Sequence, residues 1–307
     1  MFEKSFTIDY SDYIGDFDLD STINSGQTSQ PPWIHRNNSY HEVLELNNSH
    51  VLVSLQQNKL NAPVDVTYSS NDDVCCGDVQ EKLYHIFDLD YDTNKLYDFL
   101  QEDEKLVNVY KFNKGLRLYK AQYPFECIIS SICSANNSIK RWTKSIMDIR
   151  ENHGLKHKFN NMIYYTFPSE SDFVNIFDEE LKNCGVGYRS SYMLDTTEMI
   201  LSDTDFHKKI SQMSYDKAFR RIEQLSGVGP KVADCILLYG YNKREAYPVD
   251  VWINRITTYL YFNNEKTTNT NIMSFAQDKF GEYSGYVQLY LFNYARLSGL
   301  MDKLKVK

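Results

Sequence analysis

Two residues in this chain have the types and spacing for covalent chemistry on a sugar, Lys231 and Asp250. Both lie in the stretch 225–250, LSGVGPKVADCILLYGYNKREAYPVD. Lys231 follows a glycine-rich turn and falls in the first turn of a helical pattern. That is the helix end where the macrodipole disfavours positive charge, and a neutral amine is a nucleophile. Asp250 follows Pro248 and precedes VWINRITTYL, so it reads as an N-cap whose carboxylate is held by the helix it starts. A nucleophilic amine beside a fixed carboxylate suits attack on an electrophilic sugar carbon.

The elements that must position this pair are legible around it. Residues 215–224 place Ala218, Phe219, Ile222 and Leu225 on one helical face, and 231–239 do the same with Val232, Cys235, Ile236 and Tyr239. The turn between them, LSGVGP, fits only a tight hairpin. Gly227 and Gly229 allow positive φ and bare the backbone amides of Gly227, Val228 and Gly229. Amides at a helix start form an anion site, here for a nucleic-acid phosphate.

LSGVGPKVADC followed by PVDVWINR resembles the signature of the helix-hairpin-helix–Gly/Pro-Asp superfamily of DNA base-excision glycosylases. In that superfamily the hairpin lysine attacks the sugar and the later aspartate assists. The resemblance gives those roles to Lys231 and Asp250. The competing reading is a non-catalytic hairpin module in which Lys231 only contacts phosphate.

Composition agrees unevenly with a DNA partner. The 307 residues carry a net charge of −8. Residues 1–108 hold 6 Lys/Arg against 20 Asp/Glu, whereas residues 109–307 hold 27 against 21. The cationic footprint a polyanion needs therefore lies in the second part. Hydrophobic residues make up 42%, enough for a packed core. No apolar run reaches membrane-spanning length and the N-terminus is not a signal peptide, so a soluble intracellular protein is expected. The six cysteines show no zinc spacing, and none follows Cys235. A C-terminal iron–sulfur cluster, which part of this superfamily carries, cannot be built.

Along the chain, residues 1–20 read as a strand and an approach loop, and TINSGQ as a short strand entering a loop with Pro31 and Pro32. HEVLELNNSHVLVSLQ alternates around Asn47-Asn48 as a hairpin does. VDVTYSS adds a strand, and DVQEKLYHIFDL and TNKLYDFLQEDEKL read as helices. The remainder reads as helical. The expected fold is α+β: an N-terminal antiparallel sheet domain with helices over 1–108, then an all-α helix-hairpin-helix domain over 109–307.

CSANNSIKR, CGVGYRSSY, TINSGQ and YVQLYLF narrow the resemblance to the 8-oxoguanine DNA glycosylase/AP lyase branch, across most of the chain. Guanine carries a lone pair at N7 and the lesion an N–H. A backbone carbonyl aimed there separates them, and only a residue without Cβ comes close enough. The resemblance makes Gly26 that residue; a glycine needed only for the turn is the alternative. It places Cys235 and Phe292 on either side of the flipped base, with Gln288 on the base edge and Pro248 beside it. Plain core packing is the alternative for Cys235 and Phe292. Tyr188 is implied as the wedge filling the vacated stack. Arg189 and Arg141 would read the unpaired cytosine, supported by Asn136 and Asn137, for which a helix C-cap is the alternative. Tyr188-Arg189 is expected on an exposed loop tip. Trp252 stands where many relatives carry a histidine near phosphate.

The resemblance thus implies a bifunctional glycosylase/AP lyase acting, as a monomer, on double-stranded DNA containing oxidised guanine. It implies no required cofactor; a structural cation between hairpin carbonyls and phosphate is compatible with it. A cluster-free glycosylase for other oxidised bases and a non-catalytic damage-binding module are the alternatives.

Overall fold

The computed structural model describes residues 1–159 and 162–300. Five strands, β1 (Phe2–Ile8), β2 (Ile34–Arg36), β3 (Ser39–Leu46), β4 (Ser49–Gln56) and β5 (Val64–Ser70), form an antiparallel sheet in the order β1-β5-β4-β3-β2. Asn47 and Asn48 both have positive φ, 51° and 68°, which lets a two-residue turn match the strand twist. One face of the sheet buries Val53, Leu55, Val66 and Tyr68 with Val79, Leu83 and Ile86. The last three lie on helix α2, which runs Cys76–Phe87; a shorter helix, α1 (Leu19–Ile23), precedes β2.

Helix α1 corrects the strand expected before Ser25-Gly26-Gln27. The Asp18 carboxylate accepts from the Ser21 amide at 2.8 Å and caps the turn, while Leu19 and Ile23 bury against the sheet domain. Five residues are too few for a helical period to show against an alternating one.

The rest of the chain is helical: α3 (Thr93–Glu102), α4 (Val107–Phe112), α5 (Pro124–Ser134), α6 (Ile139–His153), α7 (Glu170–Phe173), α8 (Asp178–Asn183), α9 (Arg189–Leu201) and α10 (Phe206–Gln212). There follow α11 (Tyr215–Ile222), α12 (Pro230–Tyr241), α13 (Val251–Tyr261), α14 (Asn269–Phe280) and α15 (Ser284–Leu297). The expected α+β class holds, with one departure from an all-α second part. Between α6 and α7, β6 (Lys156–Phe159) and β7 (Met162–Tyr165) pair antiparallel. Phe159 and Tyr164 of this hairpin pack on Val43 and Leu52, covering part of the sheet's other face. No helix among the described residues is long and apolar enough to cross a membrane.

Three buried polar clusters tie the sheet domain to the helices. The Asp88 carboxylate accepts from Lys120 at 2.8 Å, Arg244 at 2.7 Å and the Tyr286 hydroxyl at 2.8 Å. Arg150 of α6 bridges Glu126 of α5 and Glu42 of β3, at 2.8 Å to each. Gln27 donates to the Arg117 carbonyl and accepts from the Tyr119 amide, strapping the Gly26 loop to the segment before α5. A partnered buried charge is costly to orphan, so these ties fix the sheet domain's loop against the helical core.

Candidate active site

The hairpin is built as its sequence implies. Helix α11 ends near Ile222, the chain turns through Gly227 at φ +74°, and α12 starts at Pro230. A Cβ at Gly227 would lie 2.7 Å from Cβ of Tyr192, so space as well as φ excludes a side chain there. Gly229 does not use the positive φ open to it. It is extended, at φ −97° and ψ −178°. The proline that follows it disfavours the helical region and pushes its predecessor to extended backbone.

Lys231 and Asp250 meet across one cleft. Lys231 sits in the first turn of α12 and donates from Nζ to Ser134 Oγ at the end of α5, at 3.2 Å. Asp250 caps α13, its Oδ1 accepting from the Ile253 amide at 2.8 Å. Both line a cleft of about 620 Å³ together with Ser134, Asn136, Asn137 and Trp252. Burial pushes the Asp250 carboxyl up; the α13 amides and the nearby Lys231 pull it back down. A carboxylate under that tension interacts strongly with positive charge forming beside it.

Around the cleft, contacts run in a closed circuit. Gln288 of α15 donates from Nε2 to the Pro248 carbonyl at 3.1 Å, two residues before Asp250. Phe292 and Arg296 follow Gln288 at one-turn intervals, and the Arg296 guanidinium lies over the Phe292 ring, 5.2 Å from its centroid. Next comes Gly26, at φ +83°, where a Cβ would stand 2.5 Å from Arg296 Nη1 and 2.5 Å from Ile139 Cδ1. Thr28, two residues on, reaches Ser131 Oγ at 3.0 Å and interacts with the Cys235 thiol. Cys235 is buried, its thiol pushed up by burial, one turn after Lys231. Gly26, Cys235, Pro248, Gln288 and Phe292 are thus brought together with Lys231 and Asp250.

A second concavity, of about 450 Å³, adjoins the first through Ala135 and Asn136. It is lined by Tyr188, Arg189, Gly227, Val228 and Gly229. Tyr188 is 57% exposed, but Arg189 is only 8% exposed, which corrects the expected exposed tip. The physical reason is a set of backbone acceptors from the α5–α6 turn and the preceding glycine loop. Arg189 donates to Ala135 O at 2.9 Å from Nε, to Asn136 O at 3.2 Å from Nη2 and to Val186 O at 3.2 Å from Nη1. Its Nη2 also donates to Ala135 O. Four of its five N–H donors are occupied. Asn136, exposed at φ +50°, is the left-handed residue ending α5. Arg141 is exposed in the first turn of α6 and lines neither concavity.

Two residues of this arrangement have no signal in a single sequence. Ser134 is an ordinary helix-end serine until α12 brings Lys231 to it. Arg296 is an ordinary helix-end arginine until the Gly26 loop closes on it.

Asp234, three residues after Lys231, is a buried carboxyl turned towards Tyr215 of α11. Burial pushes it up to about 7, although the Tyr215 hydroxyl donates to Oδ1 at 2.7 Å. The native state holds this proton above the pH where the unfolded chain, near 3.8, releases it. Its contribution to stability is therefore complete at low pH and is lost as pH rises towards about 7. Asp234→Asn keeps an acceptor for Tyr215 without a proton to lose. The stability of the variant relative to the parent should rise between pH 4 and 7 by up to roughly 4 kcal/mol, then level off. Urea unfolding across that range measures it, and a flat difference contradicts the assignment.

An amide-lined hairpin, a lysine at the start of its second helix and a carboxylate capping the next helix define a helix-hairpin-helix base-excision site. Comparison with known proteins agrees. Residues 11–128 match the model for the 8-oxoguanine DNA glycosylase N-terminal domain, and residues 129–282 that for HhH-GPD superfamily base excision DNA repair proteins. The chain belongs to this family and is a DNA N-glycosylase with AP lyase activity. A Methanothermobacter thermautotrophicus protein named "Probable N-glycosylase/DNA lyase" is 40% identical, over 95% of this chain and 97% of its own. The Saccharomyces cerevisiae N-glycosylase/DNA lyase is 26% identical over 89% of this chain and 78% of its own. The crystal structure of Clostridium acetobutylicum 8-oxoguanine glycosylase/lyase with double-stranded DNA, cytosine opposite 8-oxoguanine, superposes with a TM-score of 0.83. It is 28% identical and covers 97% of this chain and 98% of that one.

Proposed function

We propose that this enzyme excises 8-oxoguanine paired with cytosine from duplex DNA and then cleaves the strand by β-elimination through a Lys231 Schiff base. The observation that carries the reading is the meeting of Lys231 and Asp250 across one cleft, with the Gly26 loop and Phe292 joined to each other through Arg296.

The steps follow from the residues. The hairpin amides grip a phosphate, Tyr188 fills the vacated stack, and the lesion enters between Cys235 and Phe292. The Gly26 carbonyl accepts from N7–H of the lesion, which guanine lacks. The Gln288 side-chain oxygen, buried and without a partner among the described residues, accepts from the base edge. As the bond from C1′ to the base breaks, its electron pair leaves with the base, and positive charge forms on the sugar beside Asp250. The Lys231 amine bonds to C1′ and gives up a proton. Opening of the sugar ring leaves the C1′=N Schiff base. Loss of the C2′ proton then expels the 3′ phosphate, breaking the strand.

The substrate is tested by single-turnover excision from duplexes with each of the four bases opposite 8-oxoguanine. Fastest release opposite cytosine is expected; equal rates opposite all four contradict the pairing, and no release contradicts the lesion. Arg189 is a donor-only group anchored at the α5–α6 turn with one N–H still unused, which suits an O2 or N3 acceptor of cytosine and not the amino group of adenine. Arg189→Ala should flatten the opposite-base preference by about 10-fold, the worth of one charged hydrogen bond, while slowing excision opposite cytosine less. An unchanged preference removes the reading role.

A further inference from the structure

We propose that Arg296 is a specificity-determining residue of the base pocket, its guanidinium donating to a carbonyl oxygen of the bound oxidised purine. The inference rests on the assignment of the Gly26–Phe292 pocket to the lesion base.

Arg296 is placed as a substrate-facing group and lacks the partners a structural arginine keeps. Its guanidinium lies 5.2 Å over the Phe292 ring, and its Nη1 stands 2.5 Å from where a Cβ on Gly26 would be. It therefore fills the space that Gly26 leaves by having no side chain. Nη1 is buried and has no hydrogen-bond partner, and no carboxylate pairs with the side chain among the described residues. The hydrogen bond it does make, from Nη2 to the Asn24 carbonyl, is long at 3.5 Å. Burial alone pulls its ionisation downward. The contrast with Arg117 is direct: that fully buried arginine donates to the carbonyls of Asp16, Asp88, Tyr91 and Ile14. A buried guanidinium N–H without an acceptor is expensive and points to an acceptor that arrives with a ligand.

The second orphan identifies the ligand's chemistry. Gln288 Oε1 is buried without a partner, two turns before Arg296 on the same face of α15. An acceptor and a donor thus flank the Phe292 ring. A planar base on that ring needs N–H groups on one edge and a carbonyl on the other. Oxidised guanine has both: N1–H and the amino group on one edge, and O6 and O8 flanking N7–H on the other. A donor beside the Gly26 carbonyl meets one of those two oxygens when the carbonyl meets N7–H. Adenine offers an amino group at the C6 position and loses the match there.

The test compares two reactions of one enzyme. Cleavage of a duplex with a ready-made abasic site needs Lys231 and no base; excision of 8-oxoguanine needs both. Arg296→Met keeps an unbranched apolar stem beside Phe292 but removes the donors. Excision by this variant should slow by roughly 10- to 100-fold, the worth of a hydrogen bond to a charged donor. Cleavage of the abasic duplex should stay within about twofold of the parent. Arg296→Lys, which keeps one charged donor without the fork, should fall between the two. Parental or faster excision by Arg296→Met would show the guanidinium to be filler displaced by the base, and overturn the proposal. Equal loss of both reactions, in Arg296→Met and Arg296→Lys alike, would show a structural role and overturn it too. Failure of the pocket assignment itself reads differently: the parent enzyme would then cleave the abasic duplex and leave 8-oxoguanine in place.

Discussion

Lys231→Gln should abolish base excision and the borohydride-trapped adduct together, while lesion duplex still binds. Glutamine, one bond shorter, keeps an uncharged donor directed towards Ser134 and is as good a helix former as lysine. The fold and the hairpin's phosphate site therefore survive. What is lost is the nucleophile. Removing a covalent nucleophile from an assembled site costs at least about 10³-fold in rate, because the groups arranged around it then have nothing to act on. Single-turnover excision, trapping and electrophoretic mobility shift measure the three properties separately. A variant that still traps DNA would move the nucleophile to another amine.

Asp250→Asn should lower excision by roughly 10²- to 10³-fold, the scale of one preorganised charge in a desolvated site. Asparagine caps helices as well as aspartate, so the 2.8 Å bond to the Ile253 amide has a replacement. Thermal stability should then change little, and the loss belongs to charge. The pH profile adds a second signature. Burial holds the Asp250 carboxyl above its ordinary range. The ionised form stabilises the developing sugar cation, so the parent rate falls as pH drops through that raised value. The variant should lack this acid limb. A limb retained in Asp250→Asn would assign it to a different group.

The local parts of this site were readable in the chain because their causes are local. A hairpin needs only two apolar stripes and a glycine turn. Asp250 announces itself as a cap by preceding a helical period. Asn47-Asn48 fixes the β3–β4 turn by the same kind of reasoning. The features that escaped depend on distant partners or on very short elements. Helix α1 has too few residues to display a period, and β6 and β7 are four-residue strands whose burial depends on Val43 and Leu52. Arg189 looked like a loop-tip residue because its acceptors, Ala135 and Asn136, lie more than fifty positions earlier. At Gly229 the cause is local: Pro230 dictates its backbone more strongly than the absence of a Cβ does.

The central claim is that the Lys231 amine becomes covalently bonded to C1′ of the lesion sugar. Borohydride reduction during turnover on an 8-oxoguanine duplex, followed by proteolysis and mass mapping of the cross-linked peptide, tests it most directly. The account predicts one adduct, on the peptide carrying Lys231. An adduct on the N-terminal amine or on any other lysine, or strand cleavage with no adduct at all, would contradict it.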